Sequence, residues 1–217
     1  MGLRWQAARR SSLLTAVVFA AAALALDLGS DLLEYIQQEY GQEARTRLEN
    51  WQSLHRMARN APIERQTQLV NSFFNRAAFV SDLEHWDQED YWATPVELLA
   101  TNAGDCEDFA IAKYLTLRSM GVPDEQLRIT YVKALELNQA HMILAWYPTP
   151  DADPLILDNL INEIRPGSRR PDLEPVYSFN GEGLWNLQGG RTRREGSPEM
   201  LRHWRDLNER LTIDAFK

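Results

Sequence analysis

The chain has 217 residues, of which 44% are hydrophobic and 25% charged, with a net charge of -8 and a pI of about 5.1. That balance excludes a disordered chain and is enough for one compact domain with a real core. An acidic chain repels a phosphate backbone, which excludes nucleic acid as an expected partner.

Arg4, Arg9 and Arg10 precede an uncharged run of 16 residues, Ser11 to Leu26, and Ala23-Leu24-Ala25 lies just before the first acid, Asp27. A basic start, a short apolar run and a small-x-small site predict a signal peptide over residues 1–25 and export to the periplasm. A membrane span takes about 20 residues. An uncleaved membrane anchor or a buried helix is the alternative. Residues 30–217 are expected to form a single domain. Cys106 is the only cysteine. In an oxidising compartment such a residue has no internal disulfide partner, which points to a reactive thiol or an intermolecular bridge rather than an inert core residue.

Beyond the leader, Glu43 to Arg59 has helical periodicity, with Leu48, Trp51, Leu54 and Ala58 on one face. Pro62 is placed to open a second helix running to about Val80, with Leu69, Val70, Phe73 and Ala77 inward. A connection rich in Trp and acids follows, and Thr94-Pro95 caps and opens a short helix through Leu99. A loop, Asn102 to Asp105, leads into a largely buried helix from Cys106 to Met120, ended by Gly121 and Pro123. Three strand-like runs come next: Leu127 to Leu135, Ala140 to Tyr147, and Leu155 to Asp158. The tail is loop-rich until Ser197-Pro198 opens a last helix to about Leu211. The basic clusters Arg165 to Arg170 and Arg191 to Arg194 sit among Pro and Gly and read as solvated loops, with a docking surface as the alternative. A block of helices followed by a run of strands predicts an α+β fold, with a central helix packed on an antiparallel sheet.

Three polar residues stand out on these elements. Cys106 falls at the first turn of the buried helix, where unpaired N–H groups and the macrodipole favour a thiolate. His141 begins the second strand, and Asp158 closes the third. Neighbouring strands would let Asp158 orient the imidazole, with His141 as general base to a Cys106 nucleophile. The Cys106 N–H is a candidate oxyanion donor. His55 and His203, in predicted helices, and His85, in an acidic loop, are weaker bases. Singly, a strand-start His or a strand-end Asp is usually structural; the ordered combination points to catalysis.

The segment Gly104-Asp105-Cys106-Glu107-Asp108-Phe109-Ala110-Ile111-Ala112-Lys113-Tyr114 resembles the nucleophile segment of the bacterial transglutaminase-like cysteine proteinases. The LapG-type periplasmic proteases are the nearest branch. Asp90-Tyr91-Trp92-Ala93-Thr94-Pro95, Ala140-His141-Met142 and Leu157-Asp158-Asn159 are similar in the same order, over about residues 45 to 190. The resemblance implies a papain-like or transglutaminase-like fold and a Cys-His-Asp triad of Cys106, His141 and Asp158. It also implies calcium dependence, with Asp105 and Glu107 as metal-binding acids. The implied substrate is a large cell-surface adhesin, cut near its N-terminus at a di-alanine site to release biofilm cells. The implied inhibitor is an inner-membrane cyclic-di-GMP receptor of the LapD type.

Electrostatics supports a cation at this position. Asp105, Glu107 and Asp108 crowd Cys106 and oppose a thiolate, and a helix dipole supplies only about half a charge against them. A carboxylate-rich site suits calcium rather than zinc, and calcium's 6–8 oxygens call for help from backbone carbonyls and an upstream acid, Asp87 or Asp90. The plainer alternative is that these acids cap the helix. A transglutaminase or amidase with the same triad, or a non-catalytic exported binding module, are the other functional readings.

Overall fold

A computed structural model of the protein describes residues 26–214 apart from residue 191, so the leader over residues 1–25 lies outside the described residues. Helices α1 (Ser30–Tyr40), α2 (Gln42–Ala58) and α3 (Ile63–Phe74) come first. Two-residue β1 (Ala78–Phe79), α4 (Asp82–Trp86), α5 (Pro95–Thr101) and β2 (Ala103–Gly104) lead to α6 (Cys106–Ser119). Strands β3 (Leu127–Ala134), β4 (Gln139–Trp146), β5 (Leu155–Leu157), β6 (Arg165–Pro166), β7 (Leu173–Phe179), β8 (Leu184–Asn186) and β9 (Arg193–Gly196) then build one sheet, and α7 (Arg202–Asp214) closes the chain. The sheet order is β6-β5-β4-β3-β7-β8-β9, with every neighbouring pair antiparallel. The α+β expectation holds, and the helix from Cys106 is central. Among the described residues no helix is long and apolar enough to cross a membrane.

Helix α6 is buried almost all round, from Glu107 to Leu117, because helices cover one side of it and the sheet the other. Its end is a Schellman arrangement. Gly121 takes φ +94, a conformation that costs a glycine little, while its N–H reaches Arg118 O and the Val122 N–H reaches Leu117 O. Thr94 caps α5 as expected, in a capping box with Glu97.

Six elements differ from the sequence expectations: α1, α3, β7, β8, β9 and α7. Helix α1 was not read at all, although Leu32, Leu33 and Ile36 are buried against the core. Helix α3 stops at Phe74 rather than Val80, because the Ala78 and Val80 N–H groups bond Asn102 O and Gly104 O in a parallel pairing. That pairing braces the loop ahead of Cys106. The tail, read as loop, supplies β7, β8 and β9. Pro175 and the charged run Arg193–Glu195 disguise strand character, and pairing of β7 with β3, β8 with β7 and β9 with β8 overrides it. Ser197-Pro198 opens a 3-10 turn, and α7 starts only at Arg202.

Candidate active site

A cleft of about 400 Å³ opens where the start of α6 meets β4, lined by Cys106, His141, Met142, Tyr131, Tyr177 and Trp92, with an acidic edge of Asp90, Asp105 and Glu107. The rim is Leu201, Arg202 and His203, from the start of α7. A larger cavity of about 530 Å³ lies among α2, α3 and α5, but no cysteine, histidine or carboxylate lines it.

Cys106 is half-buried in this cleft, at the first position of α6. Met142, next to His141 on β4, lines the same cleft, and its backbone N–H favours the charged form of the sulfur slightly. Burial, then the Glu107 and Asp105 carboxylates, push the thiol far above its ordinary range. The thiol donates to Glu107 Oε2 at 3.1 Å.

His141 is buried, and its Nε2 lies 2.8 Å from Asp158 Oδ1. The expected juxtaposition of strands is present, since β4 and β5 pair, with Leu157 opposite Leu144. Nδ1 is then the ring nitrogen left for exchange with a substrate or thiol. Asp158 is 1% exposed. Burial pushes its carboxyl up, but His141, the Leu160 N–H at 3.0 Å and Arg170 at 2.8 Å outweigh that and hold it at about 2. The Asn75 side chain, just past α3, donates to Asp158 O at 2.7 Å, so the helical layer also fixes this corner.

Arg170 corrects the reading of Arg165 to Arg170 as a solvated loop or docking surface. Its side chain is 4% exposed, bonded to both Asp158 and Asp172. Arg165 lies in β6 and Arg193 and Arg194 in β9. Nothing in the local sequence separates Arg170 from Arg169, which is why periodicity missed it.

The other histidines have separate places. His55 is fully buried with Nε2 3.0 Å from Ser119 O, and His85 packs edge-on against Trp86. His203 stacks on Trp92 and lies 3.3 Å from Asp90 Oδ2.

The acids around Cys106 divide by role. Asp108 is fully buried and accepts from Ala93 N at 2.7 Å and from Asp105 N at 3.2 Å, so it closes the loop before α6. Gly104 leaves room for it: a Cβ there would sit 2.9 Å from Leu98 Cδ1 and closer still to Asp108 Oδ2. Gly104→Ala is expected to destabilise the protein by ~1–3 kcal/mol, read from a denaturant melt, because the buried carboxylate must move.

Asp82, Asp90, Asp105, Glu107 and Asp108 form overlapping groups whose ligand atoms lie within 4.8 Å of one another. Asp90 groups with Glu107 and Asp82 as the upstream acid, Asp87 does not, and Asp82, which also groups with Asp105 and Asp108, is an addition that sequence reasoning missed. Asp82 Oδ1 and Asp105 Oδ1 are buried with no hydrogen-bond partner, an arrangement that suits a hard cation. Burial raises Asp82 to about 6, burial and Glu107 raise Asp105 to about 8, and burial raises Glu107 to about 7. From the far side, Arg210 of α7 reaches Tyr91 Oη at 2.6 Å, Glu97 Oε2 at 2.8 Å and the Trp92 carbonyl, tying down the segment that carries Asp90.

The family profile described as bacterial transglutaminase-like cysteine proteinase BTLCP matches residues 34–171. The chain is similar to Legionella pneumophila LapG at 45% identity and TM-score 0.73, covering 83% of this chain and 95% of that one. It is similar to the EGTA-treated form at 47% and 0.73, covering 82% and 96%. To the calcium-bound form the values are 47% and 0.71, covering 82% and 98%. No curated protein matches. The profile, the extent of the LapG likeness and the cysteine cleft lead to one conclusion: the chain belongs to the bacterial transglutaminase-like cysteine proteinases, as a protease of the LapG type.

Proposed function

We propose that the chain is a calcium-dependent cysteine endopeptidase of the periplasm that cuts the N-terminal region of a large cell-surface adhesin and so promotes biofilm release. The observation that carries this reading is that Cys106 and His141 line one cleft while Asp158 is bonded to His141 Nε2. Cys106 is the nucleophile, His141 the general base and Asp158 its orienter. His141 Nδ1 accepts the thiol proton as Sγ attacks the scissile carbonyl carbon. The Cys106 N–H, which has no acceptor within α6, donates to the developing oxyanion. The tetrahedral species collapses, the amine leaves with the proton from His141, and a thioester remains. Water gives a proton to His141 and attacks the thioester, releasing the acid and the thiol.

Asp105 and Glu107, with Asp82 and Asp90, are the proposed calcium ligands. Their oxygens suit calcium, and the calcium-bound form of the Legionella relative supports the same ion here. Bound calcium supplies positive charge that keeps these carboxylates ionised and cancels their field at Cys106. An inner-membrane cyclic-di-GMP receptor of the LapD type is the proposed inhibitor, on the strength of the LapG likeness.

The test is incubation of the mature chain with an adhesin N-terminal fragment, with and without calcium, followed by mass spectrometry. One cut that needs calcium and is blocked by the receptor's periplasmic domain is the expected result. A product joined to an added amine in place of water would make the enzyme a transglutaminase, and no covalent change at all would refute the reading. N-terminal sequencing of protein recovered from the periplasm is expected to begin near residue 26, after loss of roughly 25 residues.

A further inference from the structure

We propose that Arg170 is the positioning residue of this site: anchored by Asp172, it holds the Asp158 carboxylate ionised and turned so that His141 keeps its proton on Nε2. This rests on the reading of Cys106, His141 and Asp158 as the reacting unit.

The need for such a residue follows from burial. A carboxylate that is 1% exposed tends to neutralise unless each oxygen finds a donor. Asp158 Oδ1 receives His141 Nε2 at 2.8 Å and Leu160 N at 3.0 Å, and Oδ2 receives Arg170 Nη2 at 2.8 Å. The same guanidinium reaches Asp172 through Nε at 2.9 and 3.1 Å and through Nη2 at 2.7 Å. Asp172 is itself held, its carbonyl accepting from Leu135 N at 2.8 Å. A planar fork serves both acids at once; an ammonium does not.

Two acids and one permanent cation leave one net negative charge, so Asp158 can still balance an imidazolium. Lys113 is the other cation near Asp158, buried in α6. Burial pushes it down to about 7 against the pull of Asp158, so its charge is partial at neutral pH where that of Arg170 is complete.

Orientation is the functional consequence. An ionised Asp158 accepts from Nε2–H and leaves Nδ1 as a base. A protonated Asp158 donates to Nε2 instead, the ring proton moves to Nδ1, and His141 can no longer take the thiol proton.

Arg170→Met, Arg170→Lys, Asp172→Asn, Asp158→Asn and the Arg170→Met/Asp158→Asn double variant test this, with circular dichroism as the fold check. Arg170→Met is expected to lower kcat roughly 100-fold with KM within about two-fold, the size of effect that misplacing a reacting group has. Imidazole ¹⁵N spectra are expected to show the neutral-ring proton moving from Nε2 to Nδ1. Arg170→Lys should recover part of kcat and the Nε2–H form, and Asp172→Asn should lose kcat roughly 5–10-fold in the same direction. In the Asp158→Asn background Arg170→Met should cost less than about two-fold more, because it acts through Asp158. A folded Arg170→Met protein with full kcat and an Nε2–H ring would overturn the proposal, as would losses that multiply with Asp158→Asn. If Arg170→Met does not fold, Asp172→Asn decides by the same readouts. Should the wild-type chain cut no adhesin, the protease reading fails, and the ¹⁵N spectra still decide the role of Arg170.

Discussion

Cys106→Ala is expected to abolish cleavage and leave the fold intact. The expected loss in kcat is on the order of 10⁴–10⁶-fold, because nucleophile and base act as a unit and only binding and oxyanion stabilisation remain. His141→Ala should fall to a similar level, and the double variant should be no worse than either alone. Asp158→Asn is expected to cost roughly 10³–10⁴-fold, since it keeps the shape of the orienter and loses its charge. The fold should survive because Cys106 is half-buried at the first position of α6, where alanine has the better helix propensity. Mass spectrometry of adhesin fragments measures the loss, and circular dichroism checks the fold. A Cys106→Ala protein that still cuts would move the nucleophile elsewhere, and there is no second cysteine to receive the role.

Chelation of calcium with EGTA is expected to remove activity, and calcium, not magnesium, is expected to restore it. Calcium accommodates irregular carboxylate-rich sites with 6–8 oxygens, whereas magnesium demands a near-octahedral shell and keeps its waters. Asp105→Ala and Glu107→Ala should be inactive even in calcium, with native circular dichroism spectra. Full activity in EGTA would make these acids caps of α6 and nothing more.

A pH dependence of stability goes with this. Asp82, Asp105 and Glu107 are raised in the folded chain to about 6, 8 and 7, mainly by burial. The folded chain therefore binds protons more tightly than the unfolded chain does. In EGTA their contribution to stability is complete below the ordinary carboxylate range and is lost as pH rises through about 6 to 8. Calcium at the proposed site would bind the deprotonated cluster, so the slope should flatten or reverse when it is added, and a hundredfold excess over Kd is worth about 2.7 kcal/mol. Thermal melts between pH 5 and pH 8, with EGTA and with calcium, measure both slopes. A melting temperature in EGTA that rises across this range would show that the acids are not mutually destabilising.

The helices around the site were legible because their signals are local. Thr94 with Glu97 makes a capping box, and Gly121 permits the end of α6. Cys106 could be placed at a helix start from the loop residues before it, His141 near the start of a strand, and Asp158 at the end of a strand, where the structure puts it one residue past β5. The order of those residues also carried the family resemblance. What local pattern does not carry is the partner of a residue far away in the chain. Asp82 joins Asp105 and Glu107 only because β1 pairs with β2, and Arg170 meets Asp158 only because the chain after β6 returns to the end of β5. Strands β7 to β9 carry proline and charge that local preference counts against them, yet successive pairing, β7 on β3, β8 on β7 and β9 on β8, makes them sheet. The sequence by itself determined which groups can react and which local elements present them, a helix start for Cys106 and strand ends for His141 and Asp158. The tertiary structure decided which acids share a cation and which cation steadies Asp158, because Coulomb forces and hydrogen bonds act through space while periodicity and capping act along the chain.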